Sequence, residues 1–298
     1  PRRPSNALLP TRPARCSFWQ ARVSREFGDA WEAWVSADYL YFDQVFDATL
    51  LDEDFATVRA QGHNLGARLG VRRKLGDHYW IKVEPDVMRQ TFKDLLDDYW
   101  EGGPKVAFGY DYGRGSELWL GYEYDWRVHD TRRPRDTAGN SMDGSLTFYQ
   151  HETTLGWRHF WDTKKRWRST TKAAVEKTLD NGLGYYDYMR YTVSEQVRYR
   201  TETWEVQAQV KFAWYDYDIQ TVSPGGPSRS KRNLLASLRG EKQFTLPKGQ
   251  KLALRTVIYN ALNTAVATAM TVQSGPNFGL ITGRVLPRIA DFQVEYRF

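Results

Sequence analysis

From Trp31 to the last residue the chain repeats one pattern: short stretches in which apolar and polar side chains alternate with a period of two. Residues 287–298 show it most clearly. Ala290, Phe292, Val294, Tyr296 and Phe298 share one side of an extended strand, and Asp291, Gln293, Glu295 and Arg297 share the other. The same alternation puts Leu65, Ala67, Leu69 and Val71 opposite Gly66, Arg68, Gly70 and Arg72, and Tyr79, Ile81 and Val83 opposite Lys82, Glu84 and Asp86. Leu118, Leu120, Tyr122, Tyr124 and Trp126 oppose Gly121, Glu123, Asp125 and Arg127. Trp167, Thr171, Ala173 and Val175 oppose Arg166, Arg168, Lys172 and Glu176, and Trp204, Val206, Ala208, Val210 and Phe212 oppose Glu205, Gln207, Gln209 and Lys211. Helical spacing does not fit these segments, and a slip of one residue would carry every charge row to the greasy side. They predict strands lying between two media.

The connections alternate in length. Short turns fall at 76–78, 113–116, 162–165, 200–203 and 246–250; longer polar links fall at 49–62, 92–103, 130–144, 221–232 and 265–286. The link 180–185 is short, with Asn181-Gly182 suited to a hairpin. The rhythm predicts about twelve strands from Trp31 onward, and residues 17–27 predict another, hairpinned through Gly28-Asp29-Ala30. Three places depart from the pattern. Glu195 falls on the face of Tyr191, Val193, Val197 and Tyr199. The apolar set changes phase at Trp214-Tyr215, as a β-bulge would make it. Residues 233–245 alternate weakly.

Composition adds to this. The mean hydropathy of -0.65 and the absence of any run of 18 apolar residues rule out a membrane helix, but not a barrel, in which only alternate residues face lipid. Aromatic residues make up 15% of the chain, with 12 Trp and 18 Tyr, as interfacial girdles require. The net charge of +6 is spread along the chain, which argues against nucleic acid as a partner. A single cysteine, Cys16, excludes an internal disulfide framework, and its Arg-Pro-Ala-Arg context does not suit a lipidated N-terminus. Residues 1–16 read as a Pro-rich tail, and 17–298 as one domain. The start lacks the pattern of a secretory leader, so the chain is expected to be a mature or trimmed one.

A strand with a greasy face that ends on an aromatic residue, preceded by alternating short turns and long links, resembles the closing part of Gram-negative outer-membrane β-barrels. The resemblance covers residues 31–298. It implies a transmembrane antiparallel up-and-down barrel of about 12–14 strands, with short periplasmic turns, longer extracellular loops and an outer-membrane location. It also implies outer-membrane lipid, lipopolysaccharide and the barrel-assembly machinery as partners, with other envelope proteins possible in addition. Phe292, Val294, Tyr296 and Phe298 would form the signal read at assembly. More narrowly, the run Leu254 to Asn263, then Gly275 to Gly279, then Pro287-Arg288, is similar to the closing strands of TonB-dependent receptors. The chain is far too short for their plugged barrel, so this likeness supports barrel closure rather than receptor function.

The candidate chemistry is sparse. None of His63, His78, His129, His151 or His159 has a Ser two residues on, as outer-membrane phospholipases and lipid A deacylases do. His129-Asp130 with Asp216 and Asp218 matches the omptin-like protease arrangement only weakly, so no enzyme is expected. Neither a metal nor a cofactor is expected, because His/Cys/Asp spacings are wrong; Asp94, Asp97, Asp98 and Glu101 read as loop charges ahead of a calcium cage. The inward row is richer in base than acid. Arg68, Arg72, Lys82, Arg127, Arg158, Arg166, Arg168, Lys172, Arg190, Arg198, Arg200 and Lys211 form a candidate path for anions, and this resembles small twelve-stranded porins for acidic oligosaccharides. A passive channel favouring anionic solutes is the expectation. The alternative is a structural or assembly barrel that anchors a larger envelope or export complex.

Overall fold

The computed structural model describes residues 15–49, 55–93, 97–221, 226, 228–247, 250–262, 267–270, 281–284 and 289–297. Residues 1–14, which hold nearly all of the Pro-rich stretch, and Phe298 lie outside them, as do Asp94, 275–279 and Pro287-Arg288. Among the described residues there is no α-helix. The strands are β1 (Arg15–Phe27), β2 (Trp31–Thr49), β3 (Phe55–Leu75), β4 (Tyr79–Val83), β5 (Asp86–Phe92), β6 (Tyr99–Gly103), β7 (Lys105–Gly113), β8 (Ser116–His129) and β9 (Thr147–Phe160). They continue with β10 (Trp167–Asp180), β11 (Tyr188–Arg200), β12 (Trp204–Thr221), β13 (Ser228–Thr245), β14 (Lys251–Tyr259), β15 (Ala267–Met270), β16 (Ile281–Arg284) and β17 (Ile289–Arg297). Fifteen of them form one antiparallel sheet, and β15 and β16 make a separate hairpin.

Two of the sheet's positions hold a pair of strands end to end. β4 and β5 both pair with β3 and are divided by Glu84-Pro85; β6 and β7 both pair with β8 and are divided by Pro104. Proline has no N–H to donate, yet the ladder survives these breaks. Pro85 and Pro104 accept from the Leu69 and Tyr124 amides, and Glu84 and Lys105 exchange backbone bonds at 2.8 and 3.1 Å. The sheet therefore has thirteen ladder positions, twelve of them from Trp31 onward, in line with the alternation. Twelve antiparallel steps separate β1 from β17, so the two edges run in the same direction. No pairing joins them among the described residues.

Several links are shorter than the sequence suggested, because polar residues there continue the ladder. Residues 55–62 belong to β3, 99–103 to β6 and 228–232 to β13, and 265–286 contains the β15–β16 hairpin. The expected bulge at Trp214-Tyr215 is absent. Tyr215 and Tyr217 pair in unbroken register with Arg190 and Tyr188, and the register shifts against β13 only after Asp216. The change is one of chemistry: beyond Trp214 the aromatics turn to the inner face and Asp216 and Asp218 to the outer. Glu195 does stand on the outer face, where the hydroxyl of its cross-strand neighbour Thr171 donates to it.

Burial runs opposite to that of a water-soluble domain. The large apolar side chains are exposed, including Leu65, Leu69, Leu120, Leu155, Val193, Val210 and Val294, whereas Ser36, Gln90, Ser169, Thr170, Glu176, Thr178 and Glu241 are buried. Along most strands of the fifteen-stranded sheet the exposed apolar row lies on the convex face and the polar row on the concave one. The sheet curls strongly enough for Arg72 on β3 to reach Glu117 on β8 at 3.8 Å across two intervening positions. One inner device recurs three times. Trp34, Trp80 and Trp119 stand directly opposite Gly70, Gly109 and Gly156, and each indole lies on the bare glycine backbone. A Cβ at Gly156 would come within 2.1 Å of the Trp119 ring.

Candidate functional site

A cavity of 660 Å³ lies against the concave face, lined by residues of β4 and of β7 through β12. Strand register lays its wall out as rows. Nearest the short turns, Arg168 stands directly opposite Arg198. In the next row Glu117, Arg158, Thr170, Gln196 and Gln209 follow one another across β8 to β12, then Trp119, Gly156, Lys172, Ser194 and Lys211. Gly121, Thr154, Ala174, Thr192 and Ala213 form a small, nearly neutral row. Nearest the long links come Glu123, Glu152, Glu176, Arg190 and Tyr215. The wall thus has a cation end and a carboxylate end, eight residues apart along β10, or about 26 Å at about 3.3 Å per residue.

The carboxylate end is tightly paired. Arg190 bridges Glu152 at 2.9 Å and also Glu176, which accepts from Tyr188 at 3.1 Å as well. Lys105 bridges Glu123 at 2.6 Å and Asp86 at 3.1 Å. The cation end is open. Arg158 reaches Glu117 at 2.9 Å, and Arg168 donates to the Gln196 side-chain oxygen at 3.3 Å. Among the described residues Arg168, Lys172, Arg198 and Lys211 make no ion pair. Arg158 and Lys172 lie over the face of Trp119. The buried Nε of Arg158, Arg168 and Arg198, and the Thr170 hydroxyl, have no hydrogen-bond partner among the described residues.

The twelve basic residues picked out by alternation separate on this map. Arg158, Arg168, Lys172, Arg190 and Lys211 line the cavity, as does Lys82, which sits 3.6 Å from Glu84; Arg198 adjoins Arg168. Arg68 borders a smaller pocket beside Asp38, at 3.7 Å. Arg72 lies over Trp80, and Arg127 is engaged by Glu101 and the Tyr99 ring. Arg200 lies at the short-turn rim, 3.7 Å from Glu205. Arg166 needs correction: it belongs to the turn rather than the inner row, exposed and held by Asp162 at 2.7 Å. Sequence reading missed Lys105, Glu117 and Glu152. Glu117 shares the parity of Glu123, and Lys105 lies opposite the row Val106, Phe108, Tyr110 and Tyr112, so both were legible; on β9 the polar residues Gln150, His151, Thr153 and Thr154 blur the phase around Glu152.

The rim residues considered for chemistry are occupied separately. Asp97 accepts from the Thr131 amide at 2.9 Å and hydroxyl at 2.7 Å and from the Arg132 amide at 2.9 Å, and it lies 3.0 Å from the His129 ring. Burial pushes the Asp97 carboxyl up, but these donors outweigh it and hold it below its ordinary value. His129 is held below its ordinary value by burial and by Arg132. Asp98 and Asp130 engage Arg89, Glu101 engages Arg127, and Asp218 engages Lys177. Among the described residues no His/Cys/Asp/Glu group is arranged to hold a metal.

Comparison with protein-family models and with curated proteins finds no match to this chain.

Proposed function

We propose that the chain is an outer-membrane β-barrel of twelve to fourteen strand positions acting as a passive channel that favours anionic solutes. The observation that carries the reading is the reversed burial: an apolar convex face and a charged concave one. The dimensions support it. On β12 the outward Trp204 and Trp214 are ten residues apart, with Val206, Ala208, Val210 and Phe212 between them. Ten residues span about 33 Å along a strand, or about 25 Å once tilted by about 40°, which is the height of a bilayer-facing band between aromatic girdles. Trp167 with Tyr199 marks one girdle, and Tyr191 with Trp214 the other. Phe292 and Val294 are 75% and 72% exposed, as lipid contact and recognition by assembly machinery both require.

The anion preference rests on the cavity lining, where Lys82, Lys105, Arg158, Arg168, Lys172, Arg190 and Lys211 face Glu84, Glu123 and Glu152. In planar bilayers the purified chain should show discrete conductance steps with reversal potentials favouring anions. Arg168→Glu with Arg198→Glu should reduce or invert that preference in a folded barrel. Absence of conductance at any salt concentration would end the channel reading. The second reading, an anchoring barrel for a larger complex, draws on the edge strand β1, which among the described residues pairs with β2 alone and whose Trp19, Val23 and Phe27 are all exposed. Pull-down from native membranes separates the two, since an anchor brings a stoichiometric partner and a lone channel does not.

A further inference from the structure

Directly opposite positions on neighbouring strands are the closest side-chain pairs in a sheet, and like charges placed there repel. Arg168 and Arg198 occupy such a pair, with Arg158 one row away on the adjoining strand and Lys172 and Lys211 flanking Ser194 in the row beyond. Arg190 meets two carboxylates, Lys105 two and Arg255 Glu241, whereas Arg229 and Lys231 on β13 lie over the Tyr217 and Tyr215 rings. In the Arg168–Arg198 group only Arg158 meets a carboxylate, and the buried Nε–H of Arg158, Arg168 and Arg198 has no acceptor among the described residues. The same is true of Arg72, Arg190 and Arg239, but those three reach a carboxylate through another nitrogen and Arg168 and Arg198 do not. Buried donors ordinarily have partners, so an unmatched set of this kind calls for an acceptor from outside the chain. Guanidinium forks converging from three strands suit several oxygens on one centre, and the neighbouring Thr170, Gln196 and Gln209 can both donate and accept.

We propose that the cation end of the cavity is a binding site for a small, multiply charged oxyanion of the phosphate or sulfate kind, held chiefly by Arg158, Arg168 and Arg198 with Lys172 and Lys211 completing the charge. The proposal rests on the lumen being reachable by solute, as in the channel reading. It adds a saturable site where that reading needs only a diffuse positive potential.

The test uses the full chain refolded in detergent micelles, with inorganic phosphate as the probe, followed by calorimetry and thermal unfolding. Saturable binding of about one phosphate per chain is expected, with sulfate competing and acetate at equal concentration failing to compete. Arg168→Gln with Arg198→Gln should weaken phosphate at least tenfold, and Lys231→Gln, on β13 beside Tyr215 and outside the cavity lining, should leave it within twofold. Without phosphate the double variant should melt higher than the parent, because a repulsion has been removed, and it should lose the phosphate-dependent rise. If it does not fold, Lys172→Gln with Lys211→Gln takes its place and should likewise weaken phosphate. No saturable binding, binding unchanged by these substitutions, or a lower melting point of the double variant without phosphate would overturn the site. Conductance without phosphate binding removes the site and leaves the channel; phosphate binding without conductance keeps the site and removes the channel.

Discussion

The two ends of the β8–β12 wall contain the same kinds of side chain in opposite states. At the carboxylate end Glu152 and Glu176 share Arg190, and Tyr188 adds a hydroxyl, so each charge there has a partner from a neighbouring strand. At the cation end Arg168 faces Arg198, and the neighbouring acids are already taken, Glu205 by Arg200 and Glu117 by Arg158 and Arg72. The first arrangement closes a polar network within the protein, and the second leaves one to be closed by something else. The charged concave face is therefore not uniform: at one end its charges are paired within the protein, and at the other Arg168 and Arg198 are not.

The largest effect should come from breaking the closed end. Arg190→Met would leave Glu152 and Glu176 side by side without a cation, and Glu176 is buried. A destabilisation of about 3–5 kcal/mol is expected, read as a fall in the denaturant midpoint of the refolded chain. A loss no greater than that of Arg198→Met would erase the contrast between the ends. Both ends lie behind the same apolar band, so Val210→Arg should cost about 2–4 kcal/mol if it stands near the bilayer midplane, with Gln209→Ser, its inward neighbour, tolerated. Equal sensitivity at 209 and 210 would mean that the two faces have been wrongly assigned.

Next comes the platform under the cation end. Gly156→Ala puts a methyl into the Trp119 indole and should cost about 1–3 kcal/mol, shifting Trp emission as the ring leaves the wall. Replacing Trp119 with Leu in the same chain should recover most of that loss if direct overlap is the cause. The smallest effect lies at the rim formed by the loops around residues 97 and 129. The Asp97 carboxyl sits below its ordinary value, so its stabilisation of the loops is complete above about pH 4 and drains away as pH falls through its lower folded value. His129, also held below its ordinary value, favours its neutral form, so acidification through about pH 6.5 begins to cost stability there. Amide exchange around residues 97 and 129 should therefore quicken on acidification. Asp97→Asn should flatten the part of that response below pH 4, and an unaltered response would show that Asp97 does not hold the loops.

Much of the fold was legible because a strand's alternation is local. Which residues of β3, β8, β10 and β12 share a face, where the tight turns fall, and that one face is apolar and the other charged all follow from a period of two and the identities along each segment. The inner position of most of the basic residues follows as well, and so does the exception at Glu195. What the sequence could not supply is which inward residue stands opposite which, since register depends on turn geometry and on partner strands distant in the chain. Only the assembled sheet puts Arg168 beside Arg198 yet Glu176 beside Arg190, draws Arg166 into a turn with Asp162, and sets Trp119 on Gly156. The same holds beyond Trp214, where a switch of chemistry between the faces resembles a bulge along the chain, and only the ladder with β11 shows that the backbone runs straight through. Periodicity assigned each side chain a face, and pairing between strands assigned it a neighbour.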